Sequence, residues 1–199
     1  MRPRLLMIVA LAFATGVLGA LLLVRQSGGG IGQVFTSGRA LVGGPFSLTD
    51  HTGRRVSDAD YRGRHMLVFF GFTHCPDVCP TALQTVAATL EQLGPKADKL
   101  VPLFISVDPA RDTPEALASY VKSFHPRLVG LTGSEAEIAA AAKAYRAYYI
   151  RAVDEKSSAG YTMDHSTIVY LMAPDGAFVS HFTHTTTVES LTSALAKVL

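Results

Sequence analysis

Long apolar runs alternate with segments of helical period along most of this chain. Met66 to Phe72 and Leu100 to Val107 contain almost no polar side chains, which is typical of strands covered on both faces. Each run is followed by a segment with helical spacing, the first from Thr81 to Leu93 before the breaker Gly94-Pro95, the second from Thr113 to about Phe124. The pattern therefore predicts parallel strands joined by helices.

The rest of the chain adds shorter elements of both kinds. They are a hairpin from Gly43 to Val56, a turn at 58–63, strands at 128–131 and 148–153, an alanine-rich helix at 134–147, strands at 166–172 and 177–182 joined by Ala173-Pro174-Asp175-Gly176, and a last helix from about Val188. Alternating strands and helices that end in a hairpin and a helix predict an α/β sandwich with a mixed central sheet.

The amino-terminal run from Leu5 to Val24 carries no charge and is almost entirely aliphatic. About twenty apolar residues cross a bilayer as a helix, so we expect one membrane anchor. The alternative, a cleaved signal peptide, is disfavoured because no small-x-small site follows. Arg2 and Arg4 precede the run, which predicts an exported domain. Only four residues precede it, too few for an Arg-rich presequence, so we expect the bacterial inner membrane with the domain facing the periplasm.

These patterns divide the chain into three parts. We expect the anchor at 1–25, a glycine-rich flexible tether at 26–42 and one domain at 43–199, a size that supports a proper core. The net charge of +2 and the lack of a dense basic run give no electrostatic case for a nucleic-acid partner, and we expect none. An exported compartment permits disulfides, so working thiols there require a reductant.

Both cysteines of the chain lie in the segment 72–80, directly after the first buried strand. Three residues separate Cys75 from Cys79, which places the sulfurs about one helical turn apart if a helix begins here. That spacing allows a disulfide and equally allows two ligands on one soft metal. The positive end of the helix favours the thiolate. The remaining alternative is a pair of inert structural cysteines, which would not need a loop punctuated by Pro76 and Pro80.

Four motifs in this order resemble the Sco/SenC family of membrane-anchored copper proteins, which have a thioredoxin-like fold. They are Gly71-Phe72-Thr73-His74-Cys75-Pro76-Asp77-Val78-Cys79-Pro80, Val107-Asp108-Pro109-Ala110-Arg111-Asp112-Thr113-Pro114, Asp164-His165-Ser166-Thr167 and Tyr170-Leu171-Met172-Ala173-Pro174-Asp175-Gly176. The resemblance covers the chain from about Gly43 onward. It implies a thioredoxin-like sandwich and a metallochaperone that helps assemble the dinuclear copper A centre of cytochrome c oxidase.

The resemblance also implies a ligand set. Copper would be held by Cys75, Cys79 and His165, and the partner would be the copper-accepting oxidase subunit, with an upstream copper donor and a thiol reductant. Two thiolates suit Cu(I), and an added imidazole lets the same site hold Cu(II). The polar loop 154–160 leads toward His165 and would let it swing in when metal arrives.

The other histidines have weaker assignments. We expect His74 to form local hydrogen bonds or to support the ligands from outside, because its neighbour Cys75 directs it elsewhere. His181 and His184 lie near the end of the last hairpin, where a weak second metal site is conceivable and two solvated side chains are favoured.

Asp108 follows the second core strand at its carboxyl end, the edge where α/β sheets present functional groups. It is a candidate outer-shell residue that orients a ligand. The alternative is a turn that caps the next helix, and the sequence does not choose between them. Arg111 and Asp112 could pair with each other or meet a partner protein.

Two function classes remain open. A metallochaperone would pass copper on by ligand exchange. A thiol-disulfide reductase would attack the oxidase subunit's disulfide with Cys75 and resolve the mixed disulfide with Cys79. A requirement for His165 would distinguish the two classes, because disulfide exchange needs only the two thiols whereas copper retention should need all three ligands. A peroxidase has weaker support, and copper sensing without delivery is not excluded.

Overall fold

The computed structural model describes residues 41–157 and 159–199. The predicted membrane anchor at 1–25 and nearly all of the predicted tether at 26–42 lie outside these ranges. Within them, every helix is too short or too polar to cross a membrane.

The described residues form nine strands. In chain order they are β1 Ser47–Asp50, β2 Arg55–Ser57, β3 His65–Gly71, β4 Leu100–Ser106, β5 Val129–Thr132, β6 Tyr149–Val153, β7 Tyr161–His165, β8 Ile168–Met172 and β9 Phe178–Thr183. Seven of them make one sheet in the order β2-β1-β5-β4-β3-β8-β9, whereas β6 and β7 form a separate two-stranded sheet. Strands β3, β4 and β5 are parallel, and β1, β8 and β9 pair with their neighbours in antiparallel fashion. The expected mixed sheet is confirmed.

Helices cover both faces of this sheet. They are α1 Val78–Leu93, α2 Pro114–Lys122, α3 Glu135–Tyr145 and α4 Val188–Ala196, with 3-10 turns at Asp58–Tyr61 and Gly94–Lys99. Successive residues of β3 point to opposite faces. Phe70 packs on Tyr145 of α3 with ring centroids 5.5 Å apart, and Phe69 packs on Phe104, which contacts Tyr120 of α2 at 5.4 Å. The core therefore lies on both sides of β3 and β4.

Side-chain caps start three of the helices. Thr113 accepts a hydrogen bond from the backbone N–H of Ala116 and precedes a proline, as its sequence predicted. Ser134 and Glu137 form a capping box on α3. Thr187 accepts from the N–H of Ser190 and so starts α4. Residues 184–187 are thus the turn and cap that lead from β9 into α4.

Two elements differ from the prediction, and both lie near the cysteines. Helix α1 begins at Val78, three residues earlier than its apolar spacing indicated, so Cys79 lies in its first turn. Strand β7 was not predicted, because Met163 is its single buried residue and it shows no regular alternation. Pairing with β6 creates this strand, and the predicted polar loop 154–160 lies between the two in sequence.

The topology brings the sequence motifs to one edge of the sheet. The parallel strands β3 and β4 end together, with Gly71 opposite Ser106. The segment with both cysteines follows β3, and the segment with Asp108 and Asp112 follows β4. They meet at this carboxyl edge, where α/β folds usually place functional groups.

At the opposite edge, Gly176 has a φ of +77°, and an added Cβ would overlap the Arg62 guanidinium, which pairs with buried Asp58. We predict that Gly176→Ala lowers the free energy of unfolding by about 2–3 kcal/mol, from backbone strain and from displacement of that ion pair. Gly53→Ala is the matched control, since φ is +84° there and the space is open. Its cost should be only about 1 kcal/mol. Urea unfolding measures both, and equal losses would show that the Arg62 contact is unimportant.

Candidate metal centre

The two cysteines meet at the junction between β3 and α1. Cys75 lies in the loop before α1 and is partly exposed, whereas Cys79 lies in the first turn of α1 and is fully buried. Neither is in a disulfide. The backbone N–H of Cys79 donates to the Cys75 sulfur at 3.4 Å, so the start of the helix directs a positive dipole end at that sulfur.

His165 approaches the two sulfurs from strand β7. It is the last residue of β7, and its Nε2 lies 3.3 Å from the Cys79 sulfur. Its Nδ1 lies 3.0 Å from the carbonyl oxygen of Ser166. A carbonyl only accepts hydrogen bonds, so Nδ1 carries a proton there. Nε2 is the ring nitrogen directed at the sulfurs.

The structure therefore brings together all three residues for which the resemblance implied a ligand role. The two sulfurs and the imidazole nitrogen lie within 4.8 Å of one another. Sulfur and imidazole donors at this spacing match the preferences of soft and borderline metals such as copper and zinc.

Aromatic rings fix the histidine in this orientation. The Phe72 ring meets the His165 ring edge-on at 5.7 Å, and Phe69 lies 6.0 Å from it. Both phenylalanines are buried. On the cysteine side, Gly71 leaves the space that Cys79 occupies, because a Cβ there would lie 2.8 Å from the Cys79 sulfur and 2.7 Å from Phe104.

The two thiols differ in acidity. The Cys79 thiol donates a hydrogen bond to Cys75 and lowers the pKa of Cys75 to about 4, with help from His165 and from the backbone N–H of Cys79, and against burial. The same hydrogen bond, together with burial, raises the pKa of Cys79. Cys75 is therefore the more acidic of the two thiols, and a metal that binds both sulfurs must displace the Cys79 proton.

An open groove of about 290 Å³ leads from solvent to the site. It is lined by Phe72, Cys75, Pro76, Asp77, Val78, Thr162, Met163, Asp164, His165 and Thr167. The groove gives a reacting partner access to Cys75 first, because Cys79 lies beneath it.

Asp112 is a supporting residue whose role sequence reasoning missed. Its buried carboxylate accepts from the backbone N–H of Thr73 at 3.0 Å, from the Thr73 hydroxyl at 2.6 Å and from the Ser106 hydroxyl at 2.6 Å. These bonds fix the loop that carries Cys75. The argument that selected Asp108, an acid at the carboxyl edge of β4, applies equally to Asp112 and could have found it.

Asp108 is not part of the group formed by Cys75, Cys79 and His165. Its buried carboxylate pairs with Arg111 and accepts from the Tyr161 hydroxyl at 3.0 Å, so it contacts the hairpin that carries His165. The alternative that 108–114 form a turn and cap the next helix is confirmed, because the backbone N–H groups of Arg111 and Asp112 donate to the Asp108 carbonyl oxygen and Thr113 caps α2. Arg111 and Asp112 do not pair with each other, contrary to one of the two alternatives, because Arg111 pairs with Asp108 while Asp112 accepts from Thr73 and Ser106. The outer-shell role of Asp108 stays a prediction.

The remaining histidines lie outside the three-residue group. His74 is exposed, and its Nδ1 lies 3.0 Å from the Thr73 hydroxyl. His181 stacks on Phe178 at 6.3 Å, and His184 Nδ1 lies 3.0 Å from the Thr167 hydroxyl. Both are exposed.

The Asp112 contacts predict a large effect from a small change. Asp112→Asn replaces one acceptor oxygen by an amide that cannot accept, so a buried donor on Thr73 or Ser106 loses its partner. We expect the free energy of unfolding to fall by about 1–3 kcal/mol. The exposed Asp164→Asn is the control, with an expected change within about 0.5 kcal/mol. Equal urea midpoints for the two variants would contradict the proposed support.

Comparison with known proteins identifies the family. The model of the SCO1/SenC family matches residues 35–199. The mitochondrial SCO1 homologue of Homo sapiens is 50% identical over 147 residues, which cover 73% of this chain and 48% of the human protein. The mitochondrial SCO1 homologue 1 of Arabidopsis thaliana is 44% identical over 163 residues, which cover 81% of this chain and 48% of that protein. The chain thus spans about half the length of these relatives.

Solved structures agree with this match. The crystal structure of Arabidopsis thaliana ScoI with copper bound is 44% identical, with a TM-score of 0.74 over 78% of this chain and 96% of that chain. Bradyrhizobium japonicum ScoI with copper bound is 46% identical, with a TM-score of 0.73 over 79% of this chain and 99% of that chain. The expected thioredoxin-like fold with a mixed central sheet is confirmed, and the chain belongs to the SCO1/SenC family.

Proposed function

We propose that this chain is a copper metallochaperone that holds copper through Cys75, Cys79 and His165. The observation that carries the proposal is the approach of the two sulfurs and the imidazole nitrogen to within 4.8 Å of one another. Copper-bound structures of relatives more than 40% identical to this chain support the choice of metal.

The donor set suits both oxidation states of copper. Cu(I) is soft and prefers the two thiolates, and the imidazole adds the nitrogen donor that Cu(II) favours. Cys75 already carries its negative charge, while Cys79 releases a proton as metal enters. Two thiolates with Cu(I) leave one net negative charge, which the amino terminus of α1 partly offsets.

Delivery of copper requires that a partner reach a ligand. Cys75 is partly exposed in the groove and Cys79 is buried, so an incoming thiol displaces Cys75 first and Cys79 last. The acceptor we propose is the copper-accepting subunit of cytochrome c oxidase, at its copper A centre, as the family resemblance implies. An upstream copper donor and a thiol reductant complete the cycle.

The cellular location of the protein is a further part of the proposal. We place the protein in a bacterial inner membrane, anchored through residues 1–25 and joined by the tether 26–42 to a periplasmic domain at 43–199. The uncharged run from Leu5 to Val24 supports this placement.

A thiol-disulfide reductase is the second candidate, and the unequal thiols favour it. A partly exposed thiolate beside a buried thiol is the arrangement in which one sulfur attacks and the other resolves a mixed disulfide. In that reaction Cys75 attacks a disulfide of the oxidase subunit, and Cys79 then displaces the reduced subunit. His165 is dispensable for these steps.

Copper titration of a His165 variant tests the main proposal. The reduced parent protein should bind one equivalent of Cu(I) in competition with a chelator under anaerobic conditions. His165→Ala should weaken Cu(II) binding by more than about tenfold, because the nitrogen donor is lost, and should keep Cu(I) on the two thiolates and spare disulfide formation.

His184→Ala is the matched control, since that imidazole is exposed and lies outside the group. It should bind both oxidation states like the parent. Retention of Cu(I) by Cys79→Ser would disprove the two-thiolate site. Absence of copper binding by a parent that still cycles between thiol and disulfide would favour the reductase.

The acidity of Cys75 predicts a distinct pH profile for its alkylation by iodoacetamide. Because the Cys75 pKa is lowered from 9.0 to about 4, its thiolate persists as pH falls from 8 to about 5, and the rate should stay flat over that range. Cys79→Ala removes the main hydrogen bond to the thiolate and should move the rise in rate to higher pH. Cys75→Ser should abolish the fast reaction. A parent rate that climbs steeply between pH 6 and 8 would show an ordinary thiol.

A further inference from the structure

Tyr161 ties the hairpin that carries His165 to the body of the domain. It is the first residue of β7, and its hydroxyl donates to the two carboxylate oxygens of Asp108 at 3.0 and 3.3 Å. Asp108 is 1% exposed and also pairs with Arg111. Hydrogen bonds to a buried charged acceptor are stronger than bonds between neutral groups. The hydroxyl therefore holds the start of β7 against the loop that follows β4.

Two arginines add to this contact through the ring. The guanidinium carbon of Arg111 lies 4.1 Å from the centroid of the Tyr161 ring, and that of Arg151 lies 4.3 Å from it. Both distances are well within the range of cation–π attraction. Arg111 also donates to the backbone carbonyl of Tyr161 at 3.4 Å. Arg111 belongs to the loop after β4 and Arg151 to β6, so the ring connects the hairpin with the main body.

The hairpin depends on such contacts because it has little support of its own. Strands β6 and β7 pair only with each other, and a two-stranded sheet is marginally stable alone. Several of its apolar side chains face solvent, with Ile150 49% and Val153 88% exposed. The position of His165 at the far end of β7 is thus set by the few points where the hairpin meets the domain.

The loop after β4 holds both halves of the metal centre. Asp112 accepts two hydrogen bonds from Thr73 and so fixes the cysteine loop. Asp108 and Arg111 hold Tyr161, and the Arg111 guanidinium lies 5.8 Å from the Phe72 ring that contacts His165. The spacing between the sulfurs and the imidazole therefore depends on this loop.

We infer that Tyr161 is a positioning residue for His165, and that its contacts with Asp108 and Arg111 keep the imidazole beside the cysteines before metal arrives. As far as copper is concerned, this inference rests on the proposed function. Cu(I) can stay on two thiolates, whereas Cu(II) needs the nitrogen donor. Release of Tyr161 should therefore weaken Cu(II) binding more than Cu(I) binding.

The test compares Tyr161→Phe with Tyr148→Phe in the reduced, metal-free protein. Tyr161→Phe keeps the ring and removes the bond to Asp108. Tyr148 precedes the same hairpin, is 60% exposed, and its hydroxyl bonds to none of the described residues. Amide hydrogen exchange across 161–165 should be about tenfold faster in Tyr161→Phe and unchanged in Tyr148→Phe. Amides of β3 should exchange at the parent rate in both variants, which separates hairpin release from general destabilisation.

Copper binding supplies the second readout. Tyr161→Phe should bind Cu(II) about tenfold more weakly with an altered thiolate-to-copper absorption band, and should bind Cu(I) within about twofold of the parent. Equal exchange in the two variants would overturn the inference. So would faster exchange with unchanged Cu(II) binding, because Tyr161 would then hold the hairpin without positioning His165. If the parent binds no copper, the proposed function fails, and the exchange measurement still decides whether Tyr161 anchors the hairpin.

Discussion

The buried carboxylate of Asp112 is the contact on which the rest of the site depends. A charged group without solvent is stable only when donors surround it, and here three donors from Thr73 and Ser106 do so. Because Thr73 lies two residues before Cys75, the same bonds that satisfy the charge also fix the cysteine loop. The end of β4 thereby determines where the loop after β3 can place its sulfurs.

Rigid and weakly supported parts of the chain share this site. Cys79 is held by the first turn of α1 against Gly71 of β3, where a single added carbon would collide with the sulfur. His165 belongs to a hairpin that pairs only with itself and reaches the domain through Tyr161 and aromatic contacts. An imidazole on a hairpin that pairs only with itself could leave a bound metal without disturbing the core, which would suit the proposed uptake and release of copper.

The electrostatics of the site have the same asymmetry. The hydrogen bond that Cys79 donates to Cys75 lowers the pKa of Cys75 and raises the pKa of Cys79. The partly exposed Cys75 is therefore the more reactive thiol, and the buried Cys79 is the one that keeps its proton more tightly. The proposed copper transfer and disulfide exchange would both use this inequality, since each would begin at the exposed sulfur. The imidazole of His165 would contribute only where a nitrogen donor is needed, so it separates the two proposals.

The sequence by itself determined the order of the main strands and helices, the cysteine pair and the family, because buried runs, helical spacing, the cap at Thr113 and contiguous motifs are local signals. It did not reveal β7, since that strand has one buried residue and exists only through pairing with β6. Nor did it assign partners to Asp108, Arg111 and Asp112. The contacts with Tyr161 and Thr73 join segments that are distant in sequence. The contact with Ser106 spans only a few residues. Only the tertiary structure decided these pairings, because a buried charge takes whichever donors the packed strands bring to it.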